Sequence, residues 1–189
     1  MFLKNFCERK FIFMRYVIVC VVKGEAGNFN DEMRKDIFEK FKAKSSKLPA
    51  HFTIKAPFEY DKSIKDLEDA LYKFSKKEKK AEFKMNKYNH FDDRVIYMNV
   101  NMSNEGKVLH DKLIDVLNDF DYIEFNKKDG KDKILHVTLT SKKVPPIYNE
   151  VWEYVNKYSF NFNCYFDNIS IFKWVDNNWK LHKEFLIEN

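Results

Sequence analysis

Residues 48–58 read Leu48-Pro49-Ala50-His51-Phe52-Thr53-Ile54-Lys55-Ala56-Pro57-Phe58. In a β-strand, residues two apart share a face, so His51, Thr53 and Lys55 point one way while Phe52, Ile54 and Ala56 point the other. One face is suited to chemistry and the other to a core. The same arrangement returns as His136-Val137-Thr138-Leu139, with His136, Thr138 and Thr140 on one face and Val137 and Leu139 on the opposite one. A single His-x-Thr copy is better explained by polar side chains on the solvent face of an edge strand. Two copies with apolar residues interleaved at the same places mark a candidate active site.

Outward from these strands, the pattern alternates between strands and helices. Tyr16 to Val22 is a β-branched run fit for a buried strand, and Gly24 to Asn30 carries turn residues that end it. Met33, Ile37, Phe38 and Phe41 predict a helix over 31–44, with Asn30 or Asp31 as its N-cap. Ser63 caps a second helix through Phe74, and Phe83 to Phe91 and Arg94 to Met102 read as neighbouring strands. Asn104 to Asn118 is a third helix with His110 off its apolar stripe, and Tyr122 to Phe125 is a short strand. The polar loop from Asn126 to Lys133 leads into the second His-x-Thr strand, and Pro145-Pro146 opens a fourth helix through Tyr158. Phe160 to Phe185 supplies two or three closing strands turned at Asn177-Asn178. Residues 14–189 therefore read as one α+β domain of two lobes. Two antiparallel sheets carry helices on their outer faces, with the His-x-Thr strands in a central groove. Residues 1–13 form an N-terminal extension to which no function attaches, since Met14 is an alternative start.

Composition narrows the class. A 44% hydrophobic content in 189 residues excludes disorder, and 34 Lys plus Arg against 29 Asp plus Glu give a net charge of +5, a mild excess that favours an anionic ligand. The lysines are scattered, so charge alone does not distinguish nucleic-acid binding from plain lysine-rich usage. Cys7, Cys20 and Cys164 form neither a disulfide framework nor a CxxC pair, which fits a reducing cytoplasm. Lys4, Glu8, Arg9 and Lys10 interrupt the apolar opening segment and exclude a membrane span there.

Paired histidines and threonines suit displacement at phosphorus. An imidazole with an ordinary pKa near 6.5 accepts a proton in one copy and donates one in the other, while hydroxyls one strand step away donate to nonbridging oxygens. A zinc site wants three or four ligands, often as a helical HxxxH, and neither strand supplies them. No metal and no cofactor is expected.

The two tetrapeptides, their separation and the alternation of strands and helices resemble the 2H phosphoesterase superfamily, which includes bacterial 2′-5′ RNA ligase-like proteins and cyclic phosphodiesterases. The similarity runs from Met14 onward and is densest in LPAHFTIKAPFEY and LHVTLT. It implies a bilobal LigT-like fold and metal-independent phosphodiester chemistry carried by His51, Thr53, His136 and Thr138. The substrate it implies is a 2′,3′-cyclic phosphate, or a related cyclic or 2′-5′-linked nucleotide or RNA end. The alternatives are 2′-5′ ligation by the reverse reaction and a nucleotide- or RNA-binding module without turnover. Phe91 and Arg94 are similar to an aromatic, Arg-containing hairpin that borders the groove in such relatives, Phe91 as a stacking platform. Lys55 and Thr140 share the reactive faces and complete the expected binding residues. Where several RNA ligase-like members carry Arg soon after the second motif, this chain has Thr140, Ser141, Lys142 and Lys143. The expected state is a cytoplasmic monomer that binds neither DNA nor membrane.

Overall fold

The computed structural model describes residues 14–126 and 129–188. The expected N-terminal extension lies outside the described residues. β1 (Met14–Val21) pairs antiparallel with β2 (His51–Tyr60) on one side and β9 (Asn168–Val175) on the other, and β10 (Asn178–Leu186) adds to β9. This four-stranded sheet, in the order β10-β9-β1-β2, leaves β2 as an edge. The remaining strands are β3 (Ala81–Met85), β4 (Tyr88–Phe91), β5 (Val95–Asn99), β6 (Asn101–Met102), β7 (His136–Thr140) and β8 (Phe162–Phe166). They form two three-stranded pieces, β6-β3-β8 and β4-β5-β7, and β7 is again an edge.

The expected α+β architecture with antiparallel sheets and four helices is observed, but its lobes are not sequential halves of the chain. The first two strands pair with the last two, and the middle of the chain builds the other lobe. Helix α1 (Gly24–Phe41) crosses over to pack on β7 and β8 beside helix α4 (Tyr148–Val155). Helix α2 (Lys65–Lys77) covers β9 and β10, and helix α3 (Asn104–Asn118) covers β3 and β6. Among the described residues, no helix is long and apolar enough to cross a membrane.

Three local differences from the sequence expectation have physical causes. Helix α1 begins at Gly24 rather than Asp31, because Ala26, Gly27, Asn30, Met33 and Ile37 form one buried stripe. Asn30 is therefore no cap; it is fully buried, and its amide donates to the Thr138 carbonyl and the Met98 sulfur, each at 3.5 Å. The expected strand over 83–91 breaks at Asn86-Lys87, and its neighbour breaks at Val100, so both cross together from one three-stranded piece to the other. Tyr122 to Phe125 forms no strand. Instead Tyr122 stacks on Tyr60 with ring centroids 3.9 Å apart and donates its hydroxyl to Asp66 at 2.9 Å. The fourth helix opens as a 3₁₀ turn at Pro145–Ile147 before α4.

The core lies behind the His-x-Thr strands. Phe52 is fully buried and meets Phe83 and Phe166 edge-on at 5.5 and 5.2 Å, while Ile54, Val137 and Leu139 are equally enclosed. A Cβ on Gly27 would stand 2.3 Å from the Val22 carbonyl oxygen, which anchors the start of α1 against β1. Gly→Ala inside a helix ordinarily stabilises by about 1 kcal/mol. Gly27→Ala is expected to lower the thermal midpoint instead, and a midpoint equal to or above the parent's in a melting experiment would refute that account of the contact.

Candidate active site

His51 opens β2 and His136 opens β7, and the two edge strands face each other across the junction of the sheets. Each imidazole is held the same way. Nδ1 of His51 lies 2.6 Å from the Pro49 carbonyl oxygen, and Nδ1 of His136 lies 2.8 Å from the Ile134 carbonyl oxygen, in both cases two residues back along the chain. A carbonyl only accepts, so Nδ1 carries the proton and donates it, which leaves Nε2 as a bare lone pair. The tautomer of both rings is thus set by the backbone.

Their surroundings lower both proton affinities. Burial pushes the His51 pKa down to about 4 against the support of the Pro49 carbonyl, and the nearby Arg34, His136 and Lys133 charges add to the fall. Burial also lowers the His136 pKa, with Lys133 contributing. Thr53 and Thr138 follow one strand step on, half-buried, and their hydroxyls have no hydrogen-bond partner among the described residues. The register sets Thr53 opposite Val19 and Thr138 opposite Tyr97. The Tyr97 ring lies 4.9 Å from the His136 ring, and Phe91 meets His136 edge-on at 5.0 Å.

The four expected binding residues divide. Phe91 stands against His136 and is half-buried. Arg94 lies in the exposed turn between β4 and β5 and pairs with Asp92 at 2.8 Å. Lys55 and Thr140 have their polar groups engaged within the protein. Lys55 is buried and its ammonium is 3.1 Å from Asp129, while Thr140 is fully buried and donates its hydroxyl to the Lys44 carbonyl at 3.0 Å. Strand alternation gave both the expected direction, but the loops packed over them occupy their polar groups.

Three charged residues escaped the sequence reading. Asp129 accepts from Lys55 through one oxygen and from Lys133 through the other at 2.7 Å, with its side chain only 2% exposed. Burial alone would raise this carboxyl, yet Lys133 and Lys55 hold it below the ordinary carboxylate range. One anion between two cations leaves a net positive charge beside the imidazoles. The available signal was the i,i+4 spacing of Asp129 and Lys133 in an otherwise featureless loop. Arg34 on α1 is the third, and its guanidinium donates to the Ser46 and Leu48 carbonyls at 2.6 and 3.0 Å. It fixes the segment that leads into β2. No group of three or more His, Cys, Asp or Glu residues able to hold a metal occurs among the described residues.

Residues 24–178 match the 2′-5′ RNA ligase superfamily, and the chain belongs to that family. In the solved structures it is similar to E. coli LigT in its apo form, at 10% identity and a TM-score of 0.63, covering 94% of this chain and 99% of that one. It is similar to TT0787 of Thermus thermophilus at 14% identity and a TM-score of 0.62, covering 93% and 99%. E. coli LigT complexed with 3′-AMP gives 11% identity and a TM-score of 0.59, covering 94% and 99%. At these identities the likeness is one of fold. No curated protein matches the chain by sequence.

The buried charges make two predictions about stability. Asp129→Ala leaves two ammoniums without their shared anion and is expected to cost about 3–5 kcal/mol, whereas Lys55→Met leaves Asp129 paired to Lys133 and costs less. Urea unfolding curves rank the two variants, and equal midpoints would contradict the shared-carboxylate arrangement. The second concerns acid. An unfolded histidine titrates near 6.5 and folded His51 near 4, so between these values the unfolded chain binds more protons. Stability is therefore expected to fall as pH is lowered through that window. His51→Asn should flatten the dependence without abolishing it, because His110 and His136 are shifted the same way. An unchanged slope in His51→Asn would remove His51 as its source.

Proposed function

We propose that this protein is a metal-independent phosphodiesterase that opens 2′,3′-cyclic phosphates on RNA ends or on related small nucleotides. The observation that carries the reading is the matched pair of imidazoles, each with Nδ1 committed to a backbone carbonyl and Nε2 free. Family membership supports phosphoester chemistry, and the LigT structure complexed with 3′-AMP supports a nucleotide-sized ligand on this fold.

His51 acts as the base. Its depressed pKa keeps Nε2 unprotonated near neutrality, while the less perturbed His136 takes up a proton when the anionic phosphate arrives and raises its affinity for one. Water attacks phosphorus and gives its proton to His51 Nε2, forming one P–O bond. The bond to one ribose oxygen breaks, and His136 Nε2–H protonates that oxygen. Thr53 and Thr138 donate to the nonbridging oxygens as negative charge grows on them. A 5′-hydroxyl in place of water gives a 2′-5′ ligation by the same proton transfers. A reducing cytoplasm suits the free thiols Cys20 and Cys164, and a monomer binding neither DNA nor membrane completes the proposal.

Turnover of nucleoside 2′,3′-cyclic phosphates is the direct test. His51→Ala and His136→Ala are each expected to lower kcat about a hundred- to ten-thousand-fold, and Thr53→Val or Thr138→Val about a hundred- to a thousand-fold. The wild-type rate should be bell-shaped in pH, with one limb lost in each histidine variant, and should survive EDTA. Binding without turnover would leave the non-catalytic reading, and loss on chelation with recovery on zinc or manganese would overturn the two-histidine mechanism.

A further inference from the structure

The last turns of α1 and the segment that follows them form a basic face with an aromatic centre. Phe38 is 42% exposed, and the ammoniums of Lys42 and Lys44 stand 5.6 and 5.3 Å from its ring centroid. Lys44 precedes the first His-x-Thr strand and is tied to the stretch that follows the second. Its N–H donates to the Lys142 carbonyl at 3.1 Å, and its own carbonyl accepts from the Ser141 and Lys142 amides at 2.9 Å each. Partners in such an antiparallel bridge project to the same side, so Lys142 joins Lys44 there. A hollow of about 370 Å³ runs along this face past Arg34, Lys35, Phe38 and Lys44. Arg34 links it to the candidate active site, because the same guanidinium holds the Leu48 carbonyl at 3.0 Å, three residues ahead of His51.

The charge of this face is not compensated within the chain. Its carboxylates are Asp31 and Glu39, and both are engaged, Asp31 with Arg34 at 3.3 Å and Glu39 with Lys35 at 3.9 Å. Lys42 donates only to the Glu39 carbonyl, and Lys44 and Lys142 have no carboxylate partner among the described residues. Free ammoniums around an exposed ring match a ligand in which phosphates alternate with flat bases: the cations neutralise the phosphates and the ring stacks a base. An acidic peptide would match the lysines but offer the ring no flat partner. Arg34 and Phe38 are four residues apart on one helix, about 6 Å along its axis, so the face begins within a few nucleotides of the imidazoles.

We propose that this face binds the body of a single-stranded RNA whose 3′ end lies between His51 and His136, with a base stacked on Phe38 and phosphates against Lys44 and Lys142. The substrate class is then an RNA end several nucleotides long rather than a mononucleotide. The inference rests on the phosphodiesterase reading for the chemistry at that end, though not for the affinity of the face for RNA.

Two measurements test it. The first is equilibrium binding of fluorescein-labelled hexauridylate with a 3′-hydroxyl end, which cannot react, followed by anisotropy. Phe38→Ala is expected to weaken binding about tenfold, as the loss of one base–aromatic stack implies, and Phe38→Trp to keep it. Lys44→Ala and Lys142→Ala should each lower the slope of log affinity against log salt by about 0.7, the share of one single-strand phosphate contact. Lys79→Ala, exposed on the connector between α2 and β3, should change neither quantity. Hexauridylate that does not bind, or binds equally to the Phe38 and Lys44 variants, overturns the face, and so does an equal loss in Lys79→Ala, which marks attraction spread over the whole surface. The second compares KM for hexauridylate and for uridine, each ending in a 2′,3′-cyclic phosphate. The wild-type ratio should favour the longer substrate and approach one in Phe38→Ala combined with Lys44→Ala. Binding that depends on Phe38 and Lys44 while neither cyclic phosphate is opened supports the face, and the phosphodiesterase reading alone fails. Hydrolysis of both substrates with the same KM overturns the face and leaves that reading standing.

Discussion

Neighbouring residues in a strand cannot face the same side, and this alternation governs where every reactive group stands. Phe52 and Ile54 are fixed in the core beside β2, and Val137 and Leu139 are fixed beside β7. Burying each such side chain is worth about 1.5–3 kcal/mol, so the apolar face dictates the register and the polar face follows. A slip of one residue would bury an imidazole and expose a phenylalanine. The two histidines are thus positioned by hydrophobic packing and then oriented by the carbonyls of Pro49 and Ile134. Because those carbonyls come from the two residues that enter each strand, orientation is built into the strand start and asks nothing of distant loops.

Charge is arranged around the pair in the opposite way, through long-range contacts. Arg34 on α1 and Lys133 in the loop before β7 both reach the neighbourhood of His51, and Lys133 also acts on His136. The Lys55–Asp129–Lys133 group keeps one positive charge uncompensated in a place closed to solvent, where it is screened less than a surface charge. The free protein thus combines two imidazoles of lowered proton affinity with a positive background.

Local pattern made much of this legible. The His-x-Thr strands, helix α3 and the antiparallel α+β class follow from alternation and helical spacing, both properties of contiguous residues. What escaped depends on partners far away in sequence. The strand direction of Lys55 is visible in the sequence, whereas the Asp129 folded over it is not. Thr140 fell to the same cause, its hydroxyl taken by the Lys44 carbonyl. The early start of α1 was hidden by Gly24 and Gly27, residues that signal a turn unless a close approach to Val22 is known to require one of them. The crossing of α1 to the opposite lobe has no local signature at all.

That interleaving has a consequence for how the protein is made. β1 hydrogen-bonds to β9, so the sheet that carries His51 is completed only after residues 168–175 have emerged. Both His-x-Thr motifs leave the ribosome before that point. A chain that terminates between Thr140 and Asn168 therefore contains both His-x-Thr motifs and presents the run Met-Arg-Tyr-Val-Ile-Val-Cys-Val of β1 as an open edge. Such an edge is a template for pairing with other chains. The closing hairpin of β9 and β10 thus serves as the cover of β1.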